Sequence, residues 1–432
     1  MLRAAPLPPL KTLTPRAQAF AFPDLTPAAL VAFAKAKADA EGSALDFSAA
    51  ALMAAAQRAT GLEDFGAAPL LDPLTVLCRS LNEELEFHAL GRSYVRQQLL
   101  GLLSTRLRFE ALWTKRPEIL DLPVERPIII IGLPRSGTTI LHRLLSQDPA
   151  KRCSPFWEQV IPLPLGDPEA TQPEPDPRRA LVAGSIEVVN TIAPELKNMH
   201  ELLVDEPDED LSLLLFAFAS MQFEWSYRVP SYAKFYQATD QTDGYRYFRK
   251  VLQTLQWLRG GERWVLKAPQ HLEQLGPLLA VFPDATLVQT HRDPVPAIIS
   301  LASLTTYGGR RYYDHPNPIA VGADMAAIVE RLLRKGMEDR PAQDPRFVDI
   351  QFADLIADPI GMVRRIYAAS KDQLSSEAEA RMRAWSADNR QEKHGRHDYD
   401  AADFGFDLAD LRRRVAVYQA RYDVPTDPRF AG

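Results

Sequence analysis

The sequence predicts an α/β fold: a three-layer α/β/α domain with a central parallel sheet, preceded by a helical N-terminal region. Three observations carry this expectation. After residue 127, short apolar runs alternate with helical stretches, as in strands joined by crossover helices. One of those runs, "IIIIG" at Ile128–Gly132, is apolar without alternation, as a strand covered on both faces should be. The first 120 residues instead space their apolar side chains by three and four. The proline-rich connector "RPEILDLPVERP" marks the expected division into regions 1–120 and 121–432.

In chain order, "TPAALVAFAKAKADAEG" opens with a threonine cap and a proline at the first helical position, and stops at glycine. "DFSAAALMAAAQRATG" repeats that grammar. "LDPLTVLCRSLNEELEFHALG" and "RSYVRQQLLGLLSTRLRFEALW" continue the helical spacing without a catalytic pattern. A helical cap or a homodimer surface is the expectation for this region. Strands are then expected at Ile128–Ile131, Trp264–Leu266, Thr286–Gln289 and Phe347–Gln351. Helices are expected at about Thr138–Ser146, Leu272–Val281, Val295–Leu304 and Pro359–Ala369. A proline-rich loop ("IPLPLGDPEATQPEPDP"), further helices and an aromatic-rich segment separate the first two strands.

Composition narrows the partners. The formal net charge of −6 gives no support to nucleic-acid binding, so any anion site must be a local cluster of cations. Two cysteines, Cys78 and Cys153, cannot build a disulfide framework or a cysteine-rich zinc site. The N-terminus lacks the apolar core of a signal peptide, and no apolar run reaches the length of a transmembrane helix. A cytoplasmic protein is expected.

The chemistry concentrates in "IIIIGLPRSGTT", Ile128–Thr139. Gly132 and Gly137 stand five apart, as in the nucleotide loop GxxxxGK[ST], which makes the predicted fold P-loop-like. A strand, a glycine turn and a helix N-terminus form an anion site from backbone N–H groups and the helix dipole. Thr138 stands where that motif has lysine, and Arg135 supplies the cation two residues before Gly137. The missing lysine argues against a nucleotide triphosphatase or kinase, which remains the first rival reading. A catalytically inactive nucleotide-binding scaffold is the second.

The segment "LPRSGTT" resembles the 5′-phosphosulfate loop of the sulfotransferases that use 3′-phosphoadenosine 5′-phosphosulfate (PAPS). A second element, "THRDPVPAIISLASL", places Ser300 eight residues after Arg292, similar to the family's 3′-phosphate site. "RWVLKAPQHLEQL" resembles the LK[SA]PxH segment of the bacterial group. The resemblance implies PAPS as co-substrate, no metal, and cofactor contacts from Pro134, Arg135, Ser136, Gly137, Thr138, Thr139, Arg292 and Ser300. By looser analogy with a late Arg-Lys-Gly segment, "NRQEKHGRHDY" adds Lys393 and Arg396.

For the transfer itself, the resemblance implies Arg135 and Lys267 as the cations that stabilise charge on the leaving phosphate. Pro269 occupies the place where cytosolic animal-type members carry a catalytic histidine, so the base is open among Glu158, His200 and His271. The acids Asp205, Glu206, Asp208, Glu209 and Asp210 read either as a metal cluster or as first-turn acids that complement a helix dipole. Nine aromatics between Phe223 and Phe248 read equally as an acceptor pocket or as packing. The acceptor's hydroxyl or amine is left open among small molecules, lipids, carbohydrates and peptides.

Overall fold

The computed structural model describes residues 47–193, 196–261, 263–389 and 400–430. Lys393 and Arg396 therefore lie outside the described residues, as does the first of the expected helices. Three helices come first: α1 (Ala49–Thr60), α2 (Leu71–Glu83) and α3 (Ala89–Lys115). Ser48 caps α1 by accepting from Ala51 N, and Gly61 stops it at φ 69° while donating to Gln57 O. Next come β1 (Ile128–Gly132), α4 (Thr138–Leu145), α5 (Phe156–Val160) and α6 (Pro177–Ile192). Helix α7 (Thr242–Arg259) leads into β2 (Val265–Lys267), and α8 (Leu275–Val281) into β3 (Thr286–His291). Helices α9 (Pro294–Gly308) and α10 (Pro318–Asp339) precede β4 (Phe347–Gln351). The last are α11 (Pro359–Ser370), α12 (Ser376–Asp388) and α13 (Leu408–Arg421).

All four expected strands form within a residue or two of their expected bounds. One helix differs: the segment expected from Leu272 opens with a 3-10 turn, Pro269–Glu273, and α8 starts only at Leu275. Pro277 has no N–H to donate one turn back, so a continuous helix from Leu272 would lose a hydrogen bond there.

The strands pair in parallel in the order β2-β1-β3-β4. Ile128 faces Val265 on one side and Thr286 on the other, and the register continues to Gly132 opposite Thr290. Alternate residues of the sheet enter different cores. Ile128, Ile130, Val265 and Val288 pack with Leu141 and Leu144 of α4 and with Val363 and Ile366 of α11. Ile129, Ile131, Leu266 and Leu287 join the larger core with Leu252 of α7 and Leu332 of α10. Burial on both faces is the reason four consecutive isoleucines can form this strand.

The N-terminal helices enter that larger core: Leu52, Leu74 and Leu99 belong to it. Arg106 of α3 is fully buried, and its guanidinium donates to the carbonyls of Phe65 (2.8 Å), Phe216 (3.1 Å) and Ala68 (2.8 Å). It thereby joins α3, the α1–α2 connection and the segment before α7. Arg106→Met keeps the bulk and leaves three carbonyls without this donor. It is expected to destabilise the fold by at least about 3 kcal/mol in urea unfolding; an unchanged midpoint would show that the carbonyls find other donors.

Candidate active site

The segments that follow the carboxyl ends of β1, β3 and β4 converge on one cavity of about 850 Å³, where open α/β sheets place their ligands. Two glycines shape the turn after β1. Gly132 has φ 139°, and a Cβ there would lie 2.5 Å from the Thr290 hydroxyl oxygen. Gly137 precedes α4 at φ 94°, and a Cβ there would lie 2.9 Å from the Phe352 ring. The left-handed conformation and the lack of room require glycine at both positions.

Pro134, Arg135, Gly137, Thr138 and Thr139 line the cavity. Arg135 has a left-handed backbone (φ 67°), and its guanidinium donates to Met199 O at 3.2 Å. Arg292 follows β3, lines the same cavity, donates to Arg135 O at 2.7 Å, and stacks its guanidinium 4.3 Å from the Phe352 ring centroid. The sequence neighbour Asp293 does not pair with it in the way a simple strand-end ion pair would. Asp293 instead caps α9 through Val295 N and pairs with Arg412 at 2.7 Å.

Ser136 and Ser300 are placed differently from the cavity-lining residues. The Ser136 hydroxyl is buried, donates to Leu133 O and sits 2.7 Å from the Thr290 hydroxyl, so it ties the turn to β3. Ser300 is buried in α9 and is not among the lining residues, whereas its neighbour Leu301 is.

The three base candidates separate by burial. Glu158 is fully buried off the cavity: Arg152 donates to its carboxylate at 2.5 Å, Ser154 at 3.1 Å, and Arg259 lies at 3.7 Å. His271 is also fully buried, 2.8 Å from the Tyr245 hydroxyl and 3.6 Å from the Asp210 carboxylate. Neither lines the cavity. His200 does, with Nε2 3.3 Å from the Asp208 carboxylate.

Asp208 and Glu209 line the cavity beside His200 and link it to Lys267. The Lys267 ammonium is buried behind them, 3.1 Å from Glu209 and 3.6 Å from Asp208. Backbone contacts hold the acidic segment to β2. Asp210 N donates to Lys267 O at 2.9 Å, and Lys267 N donates back to the Asp210 carboxylate. Gln159 of α5 donates to Asp208 O at 2.9 Å. Burial pushes the His200 pKa down, but the Asp208 carboxylate and Glu209 outweigh it, and the net shift is upward. Burial raises Asp208, His200 and Lys267 more than offset it, and its carboxyl is held well below the usual range.

The acids thus follow the helix-dipole reading only in part. Asp210 stands at the N-terminus of the turn Leu211–Leu214, as a dipole-complementing acid would, but Asp208 and Glu209 pair with Lys267 and His200. No group of three or more His, Cys, Asp or Glu side chains among the described residues is arranged to hold a metal.

A model of the sulfotransferase family matches residues 127–371. This chain belongs to the sulfotransferase family. The match runs from the strand before the glycine turn to the end of α11. Two mycobacterial relatives named omega-hydroxy-beta-dihydromenaquinone-9 sulfotransferase Stf3, from Mycobacterium tuberculosis and Mycobacterium bovis, are each 28% identical over 258 residues. The alignment covers 56% of this chain, which spans 61% of those relatives' length. Among solved structures, sulfotransferase STF9 from Mycobacterium avium superposes with a TM-score of 0.78 at 28% identity, covering 88% of this chain and 97% of that one. Sulfotransferase STF1 from Mycobacterium tuberculosis H37Rv gives 0.73 at 31% identity, covering 86% and 99%.

The wall of the cavity away from the glycine turn was the part least visible in the sequence. Most of the aromatic cluster is packing: Phe223, Tyr227, Tyr232, Tyr236, Tyr245, Tyr247 and Phe248 are buried in the larger core. Among those aromatics, Trp225 lines the cavity. The wall comes instead from α3, through Tyr94, Gln97, Gln98, Gly101 and Thr105, and from α6, through Val182, Ile186 and Val189. The α3 residues recur at three- and four-residue spacing, a polar and small stripe beside a helix face of buried leucines. That stripe was the available signal, but it reads equally as a solvated face.

Proposed function

We propose that this chain transfers a sulfuryl group from PAPS to a hydroxyl of an apolar, lipid-like acceptor by in-line displacement. The observation that carries the reading is a single cavity that joins the glycine turn, Arg135 and Arg292 to the His200–Asp208 pair and to a largely apolar wall. Arg135, Thr138 and Thr139 would hold the 5′-phosphosulfate and Arg292 the 3′-phosphate, while Ser300 lies buried beside the lining Leu301 rather than in the cavity wall. His200, oriented by Asp208, would take the acceptor's proton; Arg135 would stabilise developing charge, and the buried Lys267 would hold Asp208 and Glu209 in place behind the cavity. The apolar lining from α6, α9 and Trp225 supports a lipid-like acceptor, and the mycobacterial relatives are named for a menaquinone derivative. No helix among the described residues is long and apolar enough to cross a membrane, which is compatible with the cytoplasmic location proposed here.

Calorimetry tests the donor. 3′,5′-Bisphosphoadenosine is expected to bind without Mg²⁺, and ATP to bind poorly; tight, Mg²⁺-dependent ATP binding would reverse the assignment in favour of a P-loop nucleotide triphosphatase. A screen of hydroxylated lipids and other alcohols with radiolabelled donor would then identify the acceptor class.

A further inference from the structure

The cavity carries a second cationic end that sulfuryl transfer does not use. Arg311 closes the 3-10 turn Gly309–Arg311 after α9 and lines the same cavity as Arg292, which precedes α9. The fifteen residues of α9 rise about 1.5 Å each, so the two guanidinium-bearing ends stand about 20 Å apart. Leu301 and Leu304 of α9 line the stretch between them, with Leu102 and Trp225 also in the lining.

The site around Arg311 is built. Its Nε donates to Gly308 O at 3.0 Å, and its guanidinium carbon lies 5.0 Å from the Tyr312 ring centroid. His88 N donates to Tyr312 O at 3.0 Å, and His88 Nε2 lies 3.2 Å from Arg310 O. A Cβ on Gly91 would lie 2.5 Å from Tyr312 O, so the start of α3 closes directly on this turn. Tyr312 meets Tyr227 edge-on at 5.0 Å and Tyr94 at 5.9 Å. No carboxylate among the described residues forms an ion pair with Arg311, whose recorded partners are a carbonyl and an aromatic ring. A guanidinium is always charged, and one placed in a largely apolar cavity without a counter-ion is costly unless a ligand supplies the anion.

We propose that Arg311 is a head-group subsite. On this proposal the acceptor is an amphiphile whose hydroxyl meets His200 at one end of an apolar chain and whose carboxylate-type anion meets Arg311 at the other. The proposal rests on the sulfuryl-transfer reading for the hydroxyl end alone; the anion end is testable without turnover.

The test is calorimetric titration of hexadecanoate and hexadecanol, with and without bound 3′,5′-bisphosphoadenosine. Hexadecanoate is expected to bind at least about tenfold more tightly than hexadecanol, the ratio a charge-assisted hydrogen bond supports. Arg311→Gln should erase that preference, and Arg311→Lys should keep part of it, since a point charge replaces the fork. Equal affinities in the unsubstituted protein, or a preference that survives Arg311→Gln, would overturn the proposal. So would a preference lost only with Arg135→Ala, because the carboxylate would then occupy the sulfuryl position. An unchanged thermal midpoint for Arg311→Gln separates lost recognition from lost folding; if it falls, Arg311→Lys decides. Failure of bisphosphoadenosine to bind would count against the donor assignment, while the fatty-acid titration of the nucleotide-free protein would still judge Arg311.

Discussion

Arg135→Ala is expected to lower sulfuryl transfer by on the order of 10²–10³-fold, as removal of one preorganised charge at a developing oxyanion does. Arg135 projects from the glycine turn at φ 67° and is steadied by Met199 O, so its position is set before any ligand arrives. Alanine also carries a Cβ, so the left-handed backbone costs about the same in both proteins and folding should be little changed. The measurement is kcat and KM with labelled donor, beside calorimetric affinity for 3′,5′-bisphosphoadenosine. A loss carried mainly by kcat, with a smaller loss of nucleotide affinity, places the guanidinium at the transferred group. Turnover within a few fold of the unsubstituted enzyme would remove Arg135 from the chemistry.

His200→Gln is expected to cost about 10²–10⁴-fold, the usual contribution of a positioned general base. The pH profile gives a sharper test. An imidazole acts as base only when neutral, so activity should fall as pH drops through its raised pKa, on an acid limb above the ordinary histidine value of about 6.5. Asp208→Asn removes the charge that chiefly opposes the effect of burial on His200, so the limb should move to lower pH even as the maximal rate falls. An Asp208→Asn profile that keeps its acid limb in place would exclude His200 as the titrating base. Glu158 and His271, buried in their own hydrogen-bonded pairs, are expected to affect folding before they affect that limb.

These outcomes depend unequally on what can be read from residues alone. The strands, the glycine turn and Arg292 were legible because each signal is local. Four isoleucines in a row require a strand covered on both faces, and the φ angles at Gly132 and Gly137 require residues without a Cβ. Which of the three base candidates lines the cavity was not legible. Glu158, His200 and His271 each stand beside plausible neighbours in the sequence, and it takes tertiary contacts, Lys267 with Asp210 and Gln159 with Asp208 O, to hold Asp208 and His200 at the cavity. Arg152 meanwhile draws Glu158 into the interior.

By itself, then, the sequence determined the parallel strands and the glycine turn, which depend on patterns within a dozen residues, and the sulfotransferase resemblance, which rests on three such short segments. Tertiary structure decided which ionisable groups share the cavity and what lines its far end. Those answers depend on α3, α6 and α9 lining one cavity, segments about 80 to more than 200 residues apart in sequence. Helical spacing marks which residues share a face, but what that face meets is set by packing against distant segments. Tyr94 and Gln97 thus line a cavity with Arg311, while Tyr245 and Tyr247, from the more conspicuous aromatic cluster, fill the core.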